Sequence, residues 1–146
     1  MTLSISCNVI IASHSATFGY PEIDVGMIPA IHFIHLPTIV GRHRAFEILF
    51  SGRVFKAQEA VALGLVSQVV EDGTALQAAR AMAKTFASKS PNVMRMGHQA
   101  FMRINDAGYR RDIGGIVDTF CAVAASRDAK EGITAFIEKR PPKWSA

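Results

Sequence analysis

Strand-like composition is confined to three short stretches near the start of the chain, and this scarcity is the strongest constraint on the fold. Residues 8–12, 16–19 and 65–70 are rich in apolar and β-branched residues and are bounded by polar residues, glycine or proline. Two or three strands of this length do not form a sheet that is stable alone. We therefore expect them to be the edge of a larger β structure that this chain does not contain.

The chain is helical from residue 31 onward in our prediction. Helices are expected over 42–50 and 56–63, and a turn over 71–74 precedes four amphipathic helices. Their apolar stripes, which we expect to be buried, are Leu76, Ala79, Ala83 and Phe86; Val93, Gly97, Ala100 and Ile104; Ile113, Ile116, Val117, Phe120 and Ala124; and Ile133, Phe136 and Ile137. Asp128 and Glu131 have the spacing of a capping box at the start of the fourth helix.

Length and composition are those of one globular domain. The chain has 146 residues, of which 49% are hydrophobic and 19% charged. The net charge of +4 suits anionic partners such as phosphorylated small molecules. Basic residues are spread along the chain, and the short cluster at 42–44 is interpreted mainly as a solvated helix start. A nucleic-acid binder is therefore the least favoured class.

Cysteine content and targeting signals favour a cytoplasmic protein. Cys7 and Cys121 lie in apolar surroundings without metal-ligand spacing, so we expect buried thiols in a reducing compartment. Met1 is not followed by a charged region and a long apolar run, so no signal peptide is expected. The apolar run at 9–12 is too short to span a membrane.

One carboxylate stands in an unusual place. Glu22 lies in a loop punctuated by glycine and proline between residues 19 and 29, and long irregular loops often carry function. Burial among Phe18, Ile23, Met27 and Ile28 would disfavour its charged form, as suits a group that exchanges protons near neutrality. The alternative is a loop glutamate that binds nearby backbone N–H groups.

The two histidines that follow this loop are a weaker signal. His32 and His35 are three residues apart, which is compatible with metal binding, but no third ligand is evident. Packing or capping roles are the favoured interpretation, and no metal site is predicted.

Three motifs in order resemble the enoyl-CoA hydratase/isomerase (crotonase) family. They are FG-x-PE at 18–22, the G-R-x-x-A and [ST]-G-x-x-x-x-A-x-E-A-x-x-x-G-L-V patterns across 41–66, and EG-x-x-AF-x-EKR at 131–140. The resemblance covers nearly the whole chain but only the C-terminal half of the family's length. It implies a truncated α/β crotonase-like (ClpP/crotonase) fold, with a remnant of the spiral core over 1–70 and a helical oligomerisation region over 71–146.

The resemblance also implies a chemistry. Glu22 matches the second catalytic glutamate of the hydratases, whereas Thr2 stands where the first one is expected. A single acid is compatible with hydration, isomerisation or other reactions of an acyl-CoA thioester through an enolate. The thioester's oxyanion hole would come from outside this chain, which is expected to be inactive alone. The alternative is a non-catalytic oligomerisation or regulatory module.

Further substrate contacts follow from the same resemblance. The substrate-binding residues that it implies are Phe18, Pro21, Ile28, Pro29, His32, Phe136 and Lys139. Phe136 and Lys139 match residues that reach the CoA of a neighbouring subunit in relatives, so a homotrimer or a dimer of trimers is expected. The segment 30–35 is usually glycine-rich in the family; here it is bulkier, which either narrows the acyl end of the pocket or offers a histidine to the substrate. CoA is part of the substrate, and no separate cofactor is implied.

Overall fold

A computed structural model describes residues 1–145 of the protein. Eight α-helices, four strands and one 3₁₀ helix are present in that range. In chain order they are α1 (Thr2–Ile5), β1 (Ile11–Ser13), β2 (Thr17–Gly19), the 3₁₀ helix (Pro21–Val25), α2 (His32–Val40), α3 (Arg42–Ser51), β3 (Val54–Lys56), α4 (Ala57–Ala62), β4 (Gln68–Val70), α5 (Ala75–Ala87), α6 (Pro91–Asn105), α7 (Ala107–Ala124) and α8 (Arg127–Glu138).

The strands form two separate pairs. Strand β1 runs parallel to β4, with Ala12 opposite Val69, and β2 runs antiparallel to β3, with Phe18 opposite Phe55. The predicted strand at 8–12 therefore begins and ends later, at Ile11–Ser13, because only the residues opposite 68–70 find ladder partners. The strands are as short as expected, and each pair depends on the packing of neighbouring helices.

The hydrophobic core lies within the first half of the chain. Its buried members extend from Ile5 to Val66, and the largest fully buried side chains are Tyr20, His32, Leu36 and Ile48. Full burial of a large aliphatic side chain contributes about 1.5–3 kcal/mol each. This cluster holds α1, the 3₁₀ helix, α2, α3 and the strands in one unit.

The later helices form as predicted, but their apolar faces remain open. Helices α5, α6 and α7 contain no buried residue, and Leu76, Val93 and Ile104 are each at least 64% exposed. The expected burial of these stripes is wrong for the described residues: α5 contacts β1 and β4, and α7 contacts α2 and α8, but the stripe residues stay half-buried or exposed. The expected burial of the thiols is wrong as well: Cys7 and Cys121 are both exposed.

Helix α8 packs through small residues instead of its large ones. Ile133, Phe136 and Ile137 are exposed, whereas Ala129, Gly132 and Ala135 are buried against the 3₁₀ helix. A Cβ atom at Gly132 would collide with the carbonyl of Val25, so only glycine permits this approach. The expected burial of the three large residues is wrong, because α8 packs against the 3₁₀ helix through the face that carries its small residues.

The start of α8 also differs from the prediction. Ser126 is the N-cap, and its Oγ accepts a hydrogen bond from the Ala129 N–H at 3.1 Å. Asp128 and Glu131 do not form a capping box. They accept hydrogen bonds from Ser145 and Arg140, respectively, and these contacts fix the C-terminal segment on the helix.

Candidate active site

The 3₁₀ helix places Glu22 at the edge of a small cavity. Pro21 is the first residue of this helix, where its missing N–H is not needed, and Gly26 ends it in the left-handed conformation with φ of 70°. The Met27 N–H donates to the Glu22 carbonyl at 3.0 Å and closes the turn. These local features orient the Glu22 side chain toward the protein, whereas Asp24, two residues later, is exposed.

The cavity has a volume of about 270 Å³ and walls that are mainly apolar. Residues from four parts of the chain line it: Thr2, Glu22, Ile28, Pro29, Ala30, Ile31, His32, Val117 and Phe120. Helix α7 thus closes a site whose acid comes from the 3₁₀ helix. An apolar cavity with few polar groups is the common form of a small-molecule site.

Three buried polar atoms in residues 1–145 have no hydrogen-bond partner, and all belong to this region. They are Glu22 Oε2, His32 Nδ1 and Tyr20 Oη. The rings of Tyr20 and His32 are 4.5 Å apart, and Glu22 and His32 border the same cavity. Burying an unpaired polar group costs about 1–3 kcal/mol. Three such costs in one place are typical of a functional site and not of a core.

Burial shifts the pKa values of Tyr20 and His32 in opposite directions. Burial lowers the pKa of His32 to about 4, so its imidazole is neutral at physiological pH. Burial, and then the negative charge of Glu22, raise the pKa of Tyr20 well above its usual range, so its hydroxyl keeps its proton.

His32 is held by a specific contact. Its Nε2 lies 3.0 Å from Thr2 Oγ1, and its backbone N–H donates to the Pro29 carbonyl at 2.9 Å. The side chain is 1% exposed. His35 does not line the cavity, and its ring packs on that of Tyr109 with centroids 4.3 Å apart. Within residues 1–145, no three histidine, cysteine, aspartate or glutamate side chains converge to hold a metal ion.

The sequence-predicted site residues fall into two groups. Glu22, Ile28, Pro29 and His32 lie together around the cavity. The remaining four lie outside its lining. Phe18 stacks on Phe55 with ring centroids 5.9 Å apart, and Pro21 is exposed at the start of the 3₁₀ helix. Phe136 is 72% exposed, and Lys139 ends α8 in the left-handed conformation.

The sequence does not assign three residues to this region: Val117 and Phe120, which line the cavity, and Tyr20, which lies beside His32. Tyr20 occupies the variable position of the FG-x-PE motif, where nothing in the sequence marks it. Val117 and Phe120 were assigned to an apolar helix stripe, and only the fold brings them to the cavity. A periodic stripe identifies a helix face but not what that face covers.

Comparison with known proteins agrees with this architecture. The chain matches the enoyl-CoA hydratase/isomerase family over residues 1–146. It is 32% identical over 142 residues to a putative enoyl-CoA hydratase of Thermus thermophilus, covering 97% of this chain and 56% of that protein.

Solved structures show the same similarity. An enoyl-CoA hydratase/isomerase from Pseudoalteromonas atlantica superimposes with a TM-score of 0.90 at 31% identity, over 99% of this chain and 58% of that one. A carnitinyl-CoA dehydratase from Mycobacterium avium gives 0.87 at 31% identity, with the same shares. The fold and the cavity therefore define a crotonase-type α/β protein.

The chain belongs to the enoyl-CoA hydratase/isomerase family. It spans a little over half the length of the relatives that it matches, 56% of the Thermus protein and 58% of the two solved structures. The predicted fold class is confirmed in this sense: the chain has part of the crotonase fold. No helix within residues 1–145 has both the length and the apolar composition to cross a bilayer.

Proposed function

We propose that the protein acts on acyl-CoA thioesters through an enolate, as an enoyl-CoA hydratase or isomerase. The observation that carries this proposal is the carboxyl of Glu22: its Oε2 is buried, has no hydrogen-bond partner and borders an apolar cavity. A carboxyl in such surroundings is well suited to exchange a proton with a carbon atom, because water does not compete for it.

The roles of the cavity residues follow from this chemistry. Glu22 transfers a proton to or from the carbon next to the thioester carbonyl. Ile28 and Pro29 form apolar walls that hold the acyl chain and keep bulk solvent away from it. Negative charge then develops on the thioester oxygen and requires preorganised donors, which are often the largest catalytic contribution. We expect those donors to come from the part of the fold that relatives have beyond the matched share.

Replacing Glu22 tests the proposal. The protein and its variants are isolated from the cells that make the protein naturally. NMR then follows the exchange of the α-proton of a saturated acyl-CoA for solvent deuterium. Glu22→Gln is expected to slow this exchange by about 10²–10⁴-fold, the usual contribution of a general acid–base. Binding of the acyl-CoA should change little, because the amide has nearly the same shape.

The matched control is Asp24→Asn, which removes a carboxylate from the same 3₁₀ helix on its exposed side. Its exchange rate should equal that of the unmodified protein. Equal exchange in the Glu22→Gln protein would remove Glu22 from the mechanism.

A second candidate function is supported by the open faces of α5 to α7. Leu76, Val93 and Ile104 are all largely exposed, as are Phe136 and Ile137 on α8. Such surfaces suit an assembly module, and a homotrimer or dimer of trimers is the form that we propose. Phe136 and Lys139 would then contact the CoA of a neighbouring subunit. A stable trimer in sedimentation experiments that binds no acyl-CoA would favour assembly without catalysis.

A further inference from the structure

His32 is the unexplained group of the cavity. It is buried, it borders the same space as Glu22, and its Nδ1 has no partner among the described residues. An unpartnered ring nitrogen of a neutral histidine is expensive to bury unless it binds a ligand. The resemblance places Thr2 where a hydratase has its other glutamate, and Thr2 is the residue bonded to His32.

We propose that His32 replaces this missing carboxylate and binds, through Nδ1, the water that adds to the double bond of a 2-enoyl thioester. This inference rests on the proposed function and specifies it as hydration. Glu22 lines the same cavity and its Oε2 is also unpartnered, so this carboxyl supplies a second polar partner for a bound water or hydroxyl group.

Thr2 selects the useful form of the ring. If the Nε2–H donates to Thr2 Oγ1 across their 3.0 Å contact, Nδ1 is left with a free lone pair. Thr2 is therefore a positioning residue that acts through His32. Burial keeps the imidazole neutral at physiological pH, which preserves that lone pair.

The step balances as a simple addition. The water oxygen bonds to the β-carbon while one water proton passes to His32 Nδ1. The π electrons of the C=C bond move toward the α-carbon, which takes the proton of the Glu22 carboxyl. The product is a 3-hydroxyacyl thioester, with an imidazolium at residue 32 and a carboxylate at residue 22. Transfer of one proton from the imidazolium to the carboxylate through solvent restores the starting state.

The two reactions of the cavity can be measured separately. Water addition to a short 2-enoyl-CoA requires His32 and Glu22, whereas α-proton exchange of a saturated acyl-CoA requires Glu22 only. In the native protein, His32→Gln should lower water addition about 100-fold or more and leave α-proton exchange within about threefold. The glutamine side chain places its nitrogen or oxygen near the position of the histidine Nε2, but it has no atom that replaces Nδ1.

Two controls accompany this variant. His35→Gln changes the other histidine of α2, which packs on Tyr109 outside the cavity, and should alter neither rate. Thr2→Val removes the hydrogen bond to Nε2 and should lower water addition about tenfold without affecting exchange. Equal losses of both rates in His32→Gln, or no loss of water addition, would overturn the assignment of His32.

A measurement on the unsubstituted protein avoids the risk that variants misfold. The ¹⁵N signal of His32 Nδ1 should shift when a 3-hydroxyacyl-CoA binds and should stay in place with the saturated acyl-CoA, which lacks the hydroxyl group. A signal that responds equally to both ligands, or to neither, contradicts the proposed contact.

The outcomes separate this inference from the proposed function. If the native protein neither exchanges the α-proton nor adds water, acyl-CoA chemistry through Glu22 is wrong. If it exchanges the proton but does not add water, or if His32→Gln adds water normally, only the role of His32 is wrong.

Discussion

Two regions of this molecule have similar hydrophobic content but use it differently. The buried apolar residues between 5 and 66 form one cluster that includes Leu36 and Ile48, although Phe46 and Val54 are exposed. Helices α5, α6 and α7 have equally clear apolar stripes, yet none of their residues is buried. An amphipathic pattern therefore specifies a helix and its apolar face, but burial depends on the presence of a surface that matches it.

The candidate site lies where these regions meet. The acid and the histidine come from the packed region, whereas Val117 and Phe120 come from α7. The packed region positions Glu22 and His32 at the cavity. The open helices contribute only apolar wall to the cavity and leave most of their surface for other contacts.

The largest expected difference between the regions is in stability. Ile48→Ala removes a fully buried side chain and should lower the free energy of unfolding by about 2–5 kcal/mol. Leu76→Ala removes a side chain that is 64% exposed and should change it by less than about 0.5 kcal/mol. Urea unfolding of the 146-residue chain, followed by circular dichroism, measures both. Equal effects would show that the α5 face is covered in solution.

A pH titration tests the packed region through His32. Burial lowers the pKa of this residue from 6.5 to about 4, so the unfolded chain binds the proton more readily. Its contribution to stability is complete above pH 6.5 and is lost as the pH falls toward 4, with a slope of at most about 1.4 kcal/mol per pH unit. His32→Gln should remove this slope in urea unfolding experiments.

A second group, Glu131, changes the stability of the protein over a different pH range. The hydrogen bonds from Arg140 and Lys143 lower the pKa of Glu131 to about 2, so the contribution of Glu131 to stability is lost as the pH falls from 4.5 to 2.

The His32 prediction has a clear contrary outcome. A pH dependence of stability between pH 6.5 and 4 that is unchanged in His32→Gln would mean that His32 is not buried in solution.

Substitutions of two helical glycines are expected to change the free energy of unfolding by smaller amounts. Gly132→Ala should lower the free energy of unfolding by about 1–3 kcal/mol, because the added Cβ meets the Val25 carbonyl and separates α8 from the helix that carries Glu22. Gly115→Ala adds the same atom on α7 into open space and should raise it by up to about 1 kcal/mol. Thermal unfolding of both proteins checks the signs, and a stable Gly132→Ala protein would argue against the close approach of α8.

The sequence alone predicted the helices well and the packing poorly. The glycines and prolines around Glu22 predicted an irregular turn, and the turn is a 3₁₀ helix that ends at Gly26. The motifs around Glu22 predicted the residue that borders the cavity. By contrast, Phe136 and Ile137 were expected inside and lie outside, because small residues on the other face of α8 allow a closer approach to the backbone.

Local chemistry explains what the sequence determined. Turn formation and helix periodicity depend on residues within a few positions of one another, so both can be inferred directly from the order of residues along the chain. The assignment of Glu22 to catalysis stays a prediction that the experiments above address.

Tertiary structure decided what lies near Glu22. Thr2, Tyr20 and His32 come from three different elements, and α7 contributes the far wall of the cavity. Which polar atoms remain without partners depends on how those elements pack, because hydrogen bonds and burial are properties of spatial neighbours and not of sequence neighbours. The candidate site is therefore a product of packing, although its acid is specified by a short local motif.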